Sequence, residues 1–543
     1  MDQLLSNNPL LLLFVVAAVG YFVGKVNIKG NSLGVSAVLF VGLAFGALNP
    51  AFNVPRIIFQ LGIVFFVYSV GLSSGPAFFK SFKKNGIRDI GFVMIMLTLS
   101  ALVAVGLFFV LHLDPASITG IYSGSTTNTP ALASVLDLVD RRGDADSEGM
   151  KDALVIGYTY SYPMGVLGVM IVLKVMEKIF NVDYEKEKEL LRKDYALEEE
   201  LSSRSVKITN PKAFGQTLRD ITNDNTLPIL FGRISKGNEI TLANWDTILH
   251  EDDVIMLIGG MEDLNKATTL FGEETEDNIS YNRKEYDVRR IFVSNPKLVG
   301  RTISSLNLSQ KYDAVITRIR RGDMDMLAKA NTVLEMGDRI RFVARRKDLK
   351  GLSNLFGDSY YKSSEVNLFS FGLGIAIGLL VGSIEIPLPG GSVFKLGMAG
   401  GPLIVGLILG AWRRTGPIVW TLPYGANVTL RQMGLIFLLA VIGLSSGNKV
   451  LESLEGSEWL IFALGGTLLS ILGALISVII GYKVFKIPFS LLLGFLSNQP
   501  AILDFATEMS KNKVPIIGYS VMFPIALVMK ILFAQLLFLV LGG

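Results

Sequence analysis

Two short stretches set hydroxyl and amide side chains beside a proline inside otherwise apolar sequence: Ser123-Gly-Ser-Thr-Thr-Asn128-Thr-Pro130 and Phe495-Leu-Ser-Asn498-Gln-Pro500. A break of this kind in a membrane helix frees backbone groups that an intact helix would pair. It is tolerated only where the chain is buried in protein or lines a cavity. Proline at the first position of the next half-helix has no N–H to leave unpaired, and it presets φ. The half-helix then offers the positive end of its dipole, which suits a bound anion. Ser125, Thr126, Thr127, Asn128, Thr129 and Pro130, with Ser497, Asn498, Gln499 and Pro500, are therefore candidate substrate-binding positions. For one isolated break, a kinked helix whose polar groups bond to its own backbone is the plainer reading. Two breaks at matching positions point to function.

The candidate counter-charge is Lys530, about midway along an apolar segment of some 27 residues. Lysines near helix ends snorkel to the interface, whereas a central one needs a polar cavity. Arg431 is a weaker candidate near the start of its segment, and Lys174, near the end of its own, can simply reach the interface. Asp504, one turn beyond Pro500, can pair with a lysine or join a cation site. The Gly-Leu-Ser-Ser-Gly motifs at 71–75 and 443–447 fit close helix packing through small residues at least as well as a binding role.

Other chemistries are excluded or unsupported. The chain has no cysteine, so it has no disulfide, Cys-ligated zinc or thiol nucleophile, and His112 and His250 are its only histidines. It lacks a Thr-Val-Gly-Tyr-Gly filter, a Walker A motif and a Gly-x-Gly-x-x-Gly strand-turn-helix, against a potassium channel, an ATP-driven pump and nicotinamide binding. No cofactor, resident metal or enzymatic activity is expected, and a net charge of +4 calls for no nucleic acid.

The elements that must position these residues follow from hydropathy. Half of the 543 residues are hydrophobic and 55 are glycine, the profile of a polytopic α-helical membrane protein. Of the 98 charged side chains, 58 lie between residues 181 and 360, so a water-soluble insert separates two apolar halves. Apolar segments lie near 9–25, 33–49, 57–75, 90–112, 115–137 and 154–176, and again near 367–384, 396–412, 430–447, 459–482, 488–507 and 515–541. The first could pass for a signal peptide, but no small-residue cleavage site follows it, and it is read as a span.

The two sets are a duplication. Phe40-Val-Gly-Leu-Ala-Phe-Gly-Ala recurs as Ile404-Val-Gly-Leu-Ile-Leu-Gly-Ala, and Gln60-Leu-Gly with Val70-Gly-Leu-Ser-Ser-Gly75 recurs as Gln432-Met-Gly with Ile442-Gly-Leu-Ser-Ser-Gly447. Asn128-Thr-Pro-Ala matches Asn498-Gln-Pro-Ala, and Ile156-Gly-Tyr with Tyr162-Pro163 matches Ile517-Gly-Tyr with Phe523-Pro524. Loop charges set the orientation. Lys80, Lys83, Lys84 and Arg88 follow the third segment of half one, where half two carries Glu452, Glu455 and Glu458 with Lys449. The next loop shows the reverse, His112 and Asp114 against Lys483 and Lys486. Positive loops favour the cytoplasm, so the halves are expected to be inverted, each with five spans and one re-entrant hairpin at the proline break. Both termini would then lie outside, with the insert and its regulatory domains cytoplasmic, and the acidic stretch from Asp137 to Asp152 would suit the outer face. A full crossing at 115–137 and 488–507 is the alternative.

The insert is itself doubled. Val206-Lys-Ile-Thr-Asn-Pro211 resembles Ile291-Phe-Val-Ser-Asn-Pro296, and an offset of 85 pairs Gly215 with Gly300, Gly237 with Gly322, Asp253 with Asp338 and Leu270-Phe-Gly with Leu355-Phe-Gly. Runs such as Asp253-Val-Ile-Met-Leu-Ile read as strands, so two small α+β domains are expected. The expected organisation is membrane half one at 1–180, a helical linker at 181–204, the two small domains at 205–272 and 286–357, and membrane half two at 366–543.

The Gly-Ser-Thr-Thr-Asn-Thr-Pro-Ala stretch at 124–131, the Ser-Asn-Gln-Pro-Ala stretch at 497–501 and the two central repeats together resemble the aspartate–alanine exchanger family of bacterial antiporters, whose insert is similar to the C-terminal regulatory (TrkA-C, or RCK-C) domains of potassium-transport proteins. The resemblance covers nearly the whole chain. It implies exchange of amino acids or small carboxylates without ATP, hence a small anionic or zwitterionic substrate, in the bacterial inner membrane. The regulatory-domain likeness implies a homodimer and an unidentified small ligand at the insert. A mobile element carrying both hairpins past a fixed scaffold would give alternating access in an elevator-like way. The other readings are an ion channel or ion-transport subunit gated by the insert, and a membrane sensor that translocates nothing.

Overall fold

The computed structural model describes residues 2–26, 34–81, 86–142, 146–192, 201–225, 228–237, 239–275, 285–322, 324–387, 393–455 and 458–542. Lys83 and Lys84, used above for orientation, and Asp144 of the acidic stretch lie outside these residues. The chain divides into two compact units, one made of residues 1–196, 369–412 and 427–543 and the other of residues 197–368 and 413–426.

The first unit is helical. Half one runs α1 (Asp2–Asn7), α2 (Pro9–Gly24), α3 (Ala37–Leu48), α4 (Arg56–Ser81), α5 (Gly86–Leu111), α6 (Pro115–Ser125), α7 (Thr129–Arg142) and α8 (Ser147–Phe180), and α9 (Tyr184–Arg192) follows. Its continuation after the insert is given below. Side chains such as Phe22, Phe109 and Val110 are exposed on these helices, as a surface facing lipid requires.

The second unit holds the repeats. Repeat one contains β1 (Leu201–Ile208), α10 (Leu218–Asn225), β2 (Leu230–Lys236), β3 (Glu239–Leu242), β4 (Val254–Gly260), α11 (Met261–Phe271) and β5 (Gly272–Glu274). Repeat two contains β6 (Tyr286–Phe292), α12 (Leu308–Tyr312), β7 (Ala314–Arg321), β8 (Met324–Leu327), β9 (Arg339–Arg345) and α13 (Leu349–Phe356). The sheets are ordered β3-β2-β4-β1-β5 and β8-β7-β9-β6, so four strands match one for one and β5 is extra. Local bonds repeat too. The Asn210 amide donates to the Leu270 carbonyl at 2.8 Å, and Asn295 does the same to Leu355 at 2.8 Å. One boundary moves: residues 201–204, expected at the end of the helical linker, begin β1, because Leu201 to Lys207 pair antiparallel with β4.

The short helix α14 (Tyr360–Ser364) leads to half two: α15 (Leu368–Gly382), the hairpin β10–β11 (Ile386–Pro387 and Val393–Phe394), α16 (Gly397–Trp412), the hairpin β12–β13 (Arg414–Thr415 and Ile418–Val419), α17 (Tyr424–Glu455), α18 (Glu458–Ile479), α19 (Phe489–Leu496), α20 (Pro500–Ser510) and α21 (Val514–Leu541). Among the described residues six helical segments are long and apolar enough to cross a bilayer, at 56–76, 88–111, 360–382, 424–454, 459–484 and 514–541, with shorter apolar helices at 9–24, 34–48 and 397–412. The 413–426 segment belongs to the second unit, where Arg413 pairs with Glu335 at 3.2 Å and Arg414 donates to the Lys297 carbonyl at 3.1 Å.

Helix directions reveal how the halves are related. α4 and α17 are equivalent helices and cross at Gly62 and Gly434, where a Cβ on Gly434 would lie 2.6 Å from the Phe66 nitrogen and one on Gly62 would lie 2.7 Å from the Leu438 nitrogen. Residue numbers rise along one helix as they fall along the other, so the two run antiparallel. Nearby, Gly71 meets Leu403 and Gly406, and Gly443 meets Leu39 and Gly42, the same contact with the halves exchanged. Equivalent helices in opposite directions, with swapped contacts, are what inverted repeats produce. The Gly-Leu-Ser-Ser-Gly motifs are spent on this packing.

Candidate functional site

In both halves the fifth apolar segment is two short helices joined by a break. α6 begins with Pro115 after an Asp114 cap that accepts from the Ser117 N–H at 2.9 Å, and it ends at Ser125. Thr127 then takes φ of 49°, a left-handed conformation that a β-branched residue adopts only under constraint. The constraint is local pairing: the Thr127 and Asn128 N–H groups both bond back into α6, to Gly124 and Ser123 at 2.8 Å. Asn128 next caps α7, its side-chain oxygen accepting from the Ala131 N–H at 3.0 Å. Pro130 occupies the first turn of α7, where a missing N–H costs nothing.

The second break is shorter. α19 ends at Leu496, Ser497 donates its hydroxyl to the Leu493 carbonyl at 2.7 Å, and Pro500 is the first residue of α20. Gln499 stands at the cap position without a side-chain cap bond, so its amide and that of Asn498 are left for other partners.

Both amides reach across to the rest of the helical unit. The Lys530 ammonium, on α21 and 3% exposed, donates to the Asn498 side-chain oxygen at 2.7 Å and to the Thr126 carbonyl at 3.0 Å. One cation therefore links the two breaks. It sits on the carbonyl end of α6, where the helix dipole favours positive charge. An ammonium has three donors, and these bonds use two. The Tyr162 hydroxyl of α8 donates to the Gln499 side-chain oxygen at 2.8 Å and lies 2.6 Å from the Ser36 hydroxyl. One turn earlier, the Tyr158 hydroxyl lies 2.7 Å from the Thr129 hydroxyl. Neighbouring turns of α8 thus hold one break each.

A narrow cavity opens between these elements, lined by Ser125, Thr126, Asn498 and Lys530 together with Ser100 on α5 and Ser470 and Ser477 on α18. Its polar wall carries hydroxyls, an amide and the Lys530 cation, and no carboxylate is among the described residues that line it. Val169 also lines it. By the Tyr158–Tyr519 correspondence Val169 is the half-one position equivalent to Lys530, so the charge is present on one side of the duplication only.

The remaining candidates divide. Thr126 and Ser497 donate to carbonyls one turn back in their own helices, the backbone pairing expected of a simple kink. The Thr127 hydroxyl is buried and has no partner among the described residues. Arg431, on α17, does not line the cavity. Lys174 pairs with Glu177 at 2.6 Å and is half exposed, in line with an interfacial position, and Asp504 is exposed. Among the described residues no group of three His, Cys, Asp or Glu side chains could hold a metal ion. Ser100, Ser470, Ser477 and the two tyrosines were not singled out by motif. Tyr158 and Tyr162 did carry a signal, because they recur as Tyr519 and Phe523 in the duplication, but position in sequence does not tell which hydroxyl meets which break.

Comparison with known proteins accounts for the same parts of the chain. Residues 12–178 and 370–539 match the aspartate–alanine exchanger profile, described as a predicted permease membrane region. Residues 288–357, the second repeat, match the TrkA-C domain. An uncharacterized transporter of Geobacter sulfurreducens is 44% identical over 99% of both chains. Others from Symbiobacterium thermophilum and Corynebacterium diphtheriae are each 40% identical, over 100% of both chains and over 97% of this chain and 98% of the relative. A full-length relationship at this identity, with the permease profile falling on both helical halves and the TrkA-C profile between them, identifies the chain as a multi-pass membrane transport protein of the aspartate–alanine exchanger family.

Proposed function

We propose that the protein exchanges small carboxylates or amino acids, with aspartate and alanine as the leading pair, by alternating access through the cavity at Lys530. The observation that carries this reading is the bridge from Lys530 to both breaks, through Thr126 and Asn498. A carboxylate entering the cavity takes the third donor of the ammonium and competes with the two acceptors already held there. Charge-assisted bonds of this kind are about twice as strong as neutral ones. Substrate binding therefore changes how the two breaks are tied, which is the differential interaction any conformational switch needs. Ser100, Ser470 and Asn498 supply the uncharged groups that would orient the rest of the substrate.

The antiparallel halves allow two mirror-related arrangements of nearly equal energy, one open to each side. In this scheme α5–α8 and α18–α21 carry the cavity past the glycine-packed helices α3, α4, α16 and α17. The insert lies in the cytoplasm and the termini outside, in the bacterial inner membrane, and the protein works as a homodimer whose TrkA-C repeats regulate exchange.

Counterflow in proteoliposomes tests the proposal. Labelled aspartate should accumulate when only unlabelled aspartate or alanine is inside, with no ion gradient and no ATP, and Lys530→Met should abolish it. Conductance without saturable exchange would replace this reading with a gated channel. Saturable counterflow unchanged in Lys530→Met would remove the lysine from the site.

A further inference from the structure

The first helices of the two breaks correspond, yet they are capped differently. A Cβ on Gly120 of α6 would meet the Leu154 carbonyl, and one on Gly494 of α19 would meet the Pro515 carbonyl. Leu154 and Pro515 correspond at the same offset as Tyr158 and Tyr519, so Gly120 and Gly494 are equivalent positions. Six residues before each stand Asp114 and Pro488, the N-cap residues of α6 and α19. Asp114 caps its own helix, accepting from the Ser117 N–H at 2.9 Å and from the Ser117 hydroxyl. Proline has no side-chain acceptor, and α19 has no cap bond of its own at Pro488.

The acceptor comes instead from Glu187 on α9, 302 residues away from Phe489 in sequence. Its carboxylate accepts from the Phe489 N–H, the Ser490 N–H and the Ser490 hydroxyl, each at 2.7 Å. A carboxylate there satisfies donors that have no partner within the helix, and it suits the positive end of the dipole. Phe489 and Ser490 are both fully buried. Phe489 lies edge-on to Phe180 and Tyr482, which stack on each other with centroids 4.3 Å apart, so aromatic rings close over the start of α19. Without Glu187 three buried donors lose their acceptor, and the helix regains one by moving toward water.

The other end of α19 leads to the cavity. The helix has about two turns, and Asn498 follows its last residue, Leu496, by two positions. The Gly494–Gly518 contact sets its distance from α21, the helix that carries Lys530. Bonds at its start fix where along that contact α19 sits, and with it how Asn498 meets the Lys530 ammonium at 2.7 Å. α9 is the last described element before repeat one begins at Leu201. We infer that Glu187 is the positioning residue of the second break: the chain on its way to the insert supplies the cap that Pro488 cannot, and so holds Asn498 at Lys530. This deepens the exchange reading and rests on it for the effect on substrate, while the placement of α19 is tested without transport.

The chain has no native cysteine, so Ser497→Cys, at a fully buried position just past α19, reports whether the helix stays in place. Alkylation of the full-length protein in detergent by N-ethylmaleimide should be slow. Adding Glu187→Ala should speed it about five-fold or more, because unsatisfied buried donors drive the helix end toward water. Pro488→Asp on top of that change should restore slow labelling, since it gives α19 the kind of cap that Asp114 gives α6. Glu185→Ala, at an exposed position on α9, should have no effect. Glu187→Gln keeps one acceptor and should give a smaller change of the same sign, readable even if Glu187→Ala folds poorly. In counterflow, Glu187→Ala should raise the Michaelis constant for aspartate and add little to Asn498→Ala, because both act through one contact. Unchanged labelling in both Glu187 variants, equal acceleration by Glu185→Ala, or fast labelling after Pro488→Asp overturns the inference. Additive losses with Asn498→Ala overturn the route through Asn498. A wild type that exchanges no aspartate, with the labelling pattern intact, removes the exchange reading and leaves Glu187 holding α19.

Discussion

The two helix breaks descend from one ancestral segment and now hold their residues in opposite ways. The first is closed on itself: Asn128 caps its own helix, and the Thr127 and Asn128 N–H groups return to α6. The second turns its amides outward, Asn498 to Lys530 and Gln499 to Tyr162. The half-one counterparts of Lys530 and Phe523 are Val169 and Tyr162, so each half has kept one polar group that the other lacks. Duplication supplied two equivalent frames, and divergence left one as a wall bonded to its own backbone and the other as a set of contacts to distant helices. The insert diverged too: Arg290 and Arg341 of repeat two stand where repeat one has the buried Ser205 and Met256.

The largest expected effect is at the charge. Lys530→Met should reduce aspartate counterflow at least a hundred-fold, about 2.8 kcal/mol of anion stabilisation, while Lys530→Arg retains part of it. Moving the lysine, by combining Lys530→Val with Val169→Lys, should restore measurable uptake, since both positions line one cavity. Failure of the swap would show that Asn498 and the Thr126 carbonyl, rather than the charge alone, define the site.

The asparagines should separate cleanly. Asn498→Ala is expected to weaken substrate affinity about ten-fold with little change in melting temperature. Asn128→Ala should cost about 1 kcal/mol of stability through the lost cap and change affinity less. Equal effects on both properties in both variants would erase the distinction between wall and contact.

Smaller effects test the tyrosine pair. Thr129→Val leaves the buried Tyr158 hydroxyl without its partner and should cost about 1–3 kcal/mol in thermal or denaturant unfolding. Tyr162→Phe copies the half-two residue. It should cost only about 1 kcal/mol and shift the Michaelis constant of counterflow slightly, by freeing Gln499.

Much of this arrangement was legible in the chain. Paired prolines preceded by Asn-Thr and Asn-Gln marked both breaks, because proline, a free backbone and small polar side chains inside apolar sequence have few other uses in a membrane. The 85-residue offset marked the doubled insert, and the strands then aligned in the same order. Lys530 was exposed as a candidate by its mid-segment position alone. Arg431, named on the same kind of signal, does not line the cavity: charge and segment are visible in sequence, while the direction in which a helix turns its side chain depends on its neighbours.

What sequence alone determined, then, was the set of elements, their duplication and the places where helices must break, all of which depend on local composition and periodicity. The tertiary structure decided which groups meet. Lys530 finds Thr126 across 404 residues of chain, and Tyr162 finds Gln499 across 337. No periodicity encodes such pairings, because they follow from how antiparallel glycine-packed helices set the two halves against each other. The candidate site was therefore written in sequence as two separate breaks and one charge, and packing joined them into a single cavity.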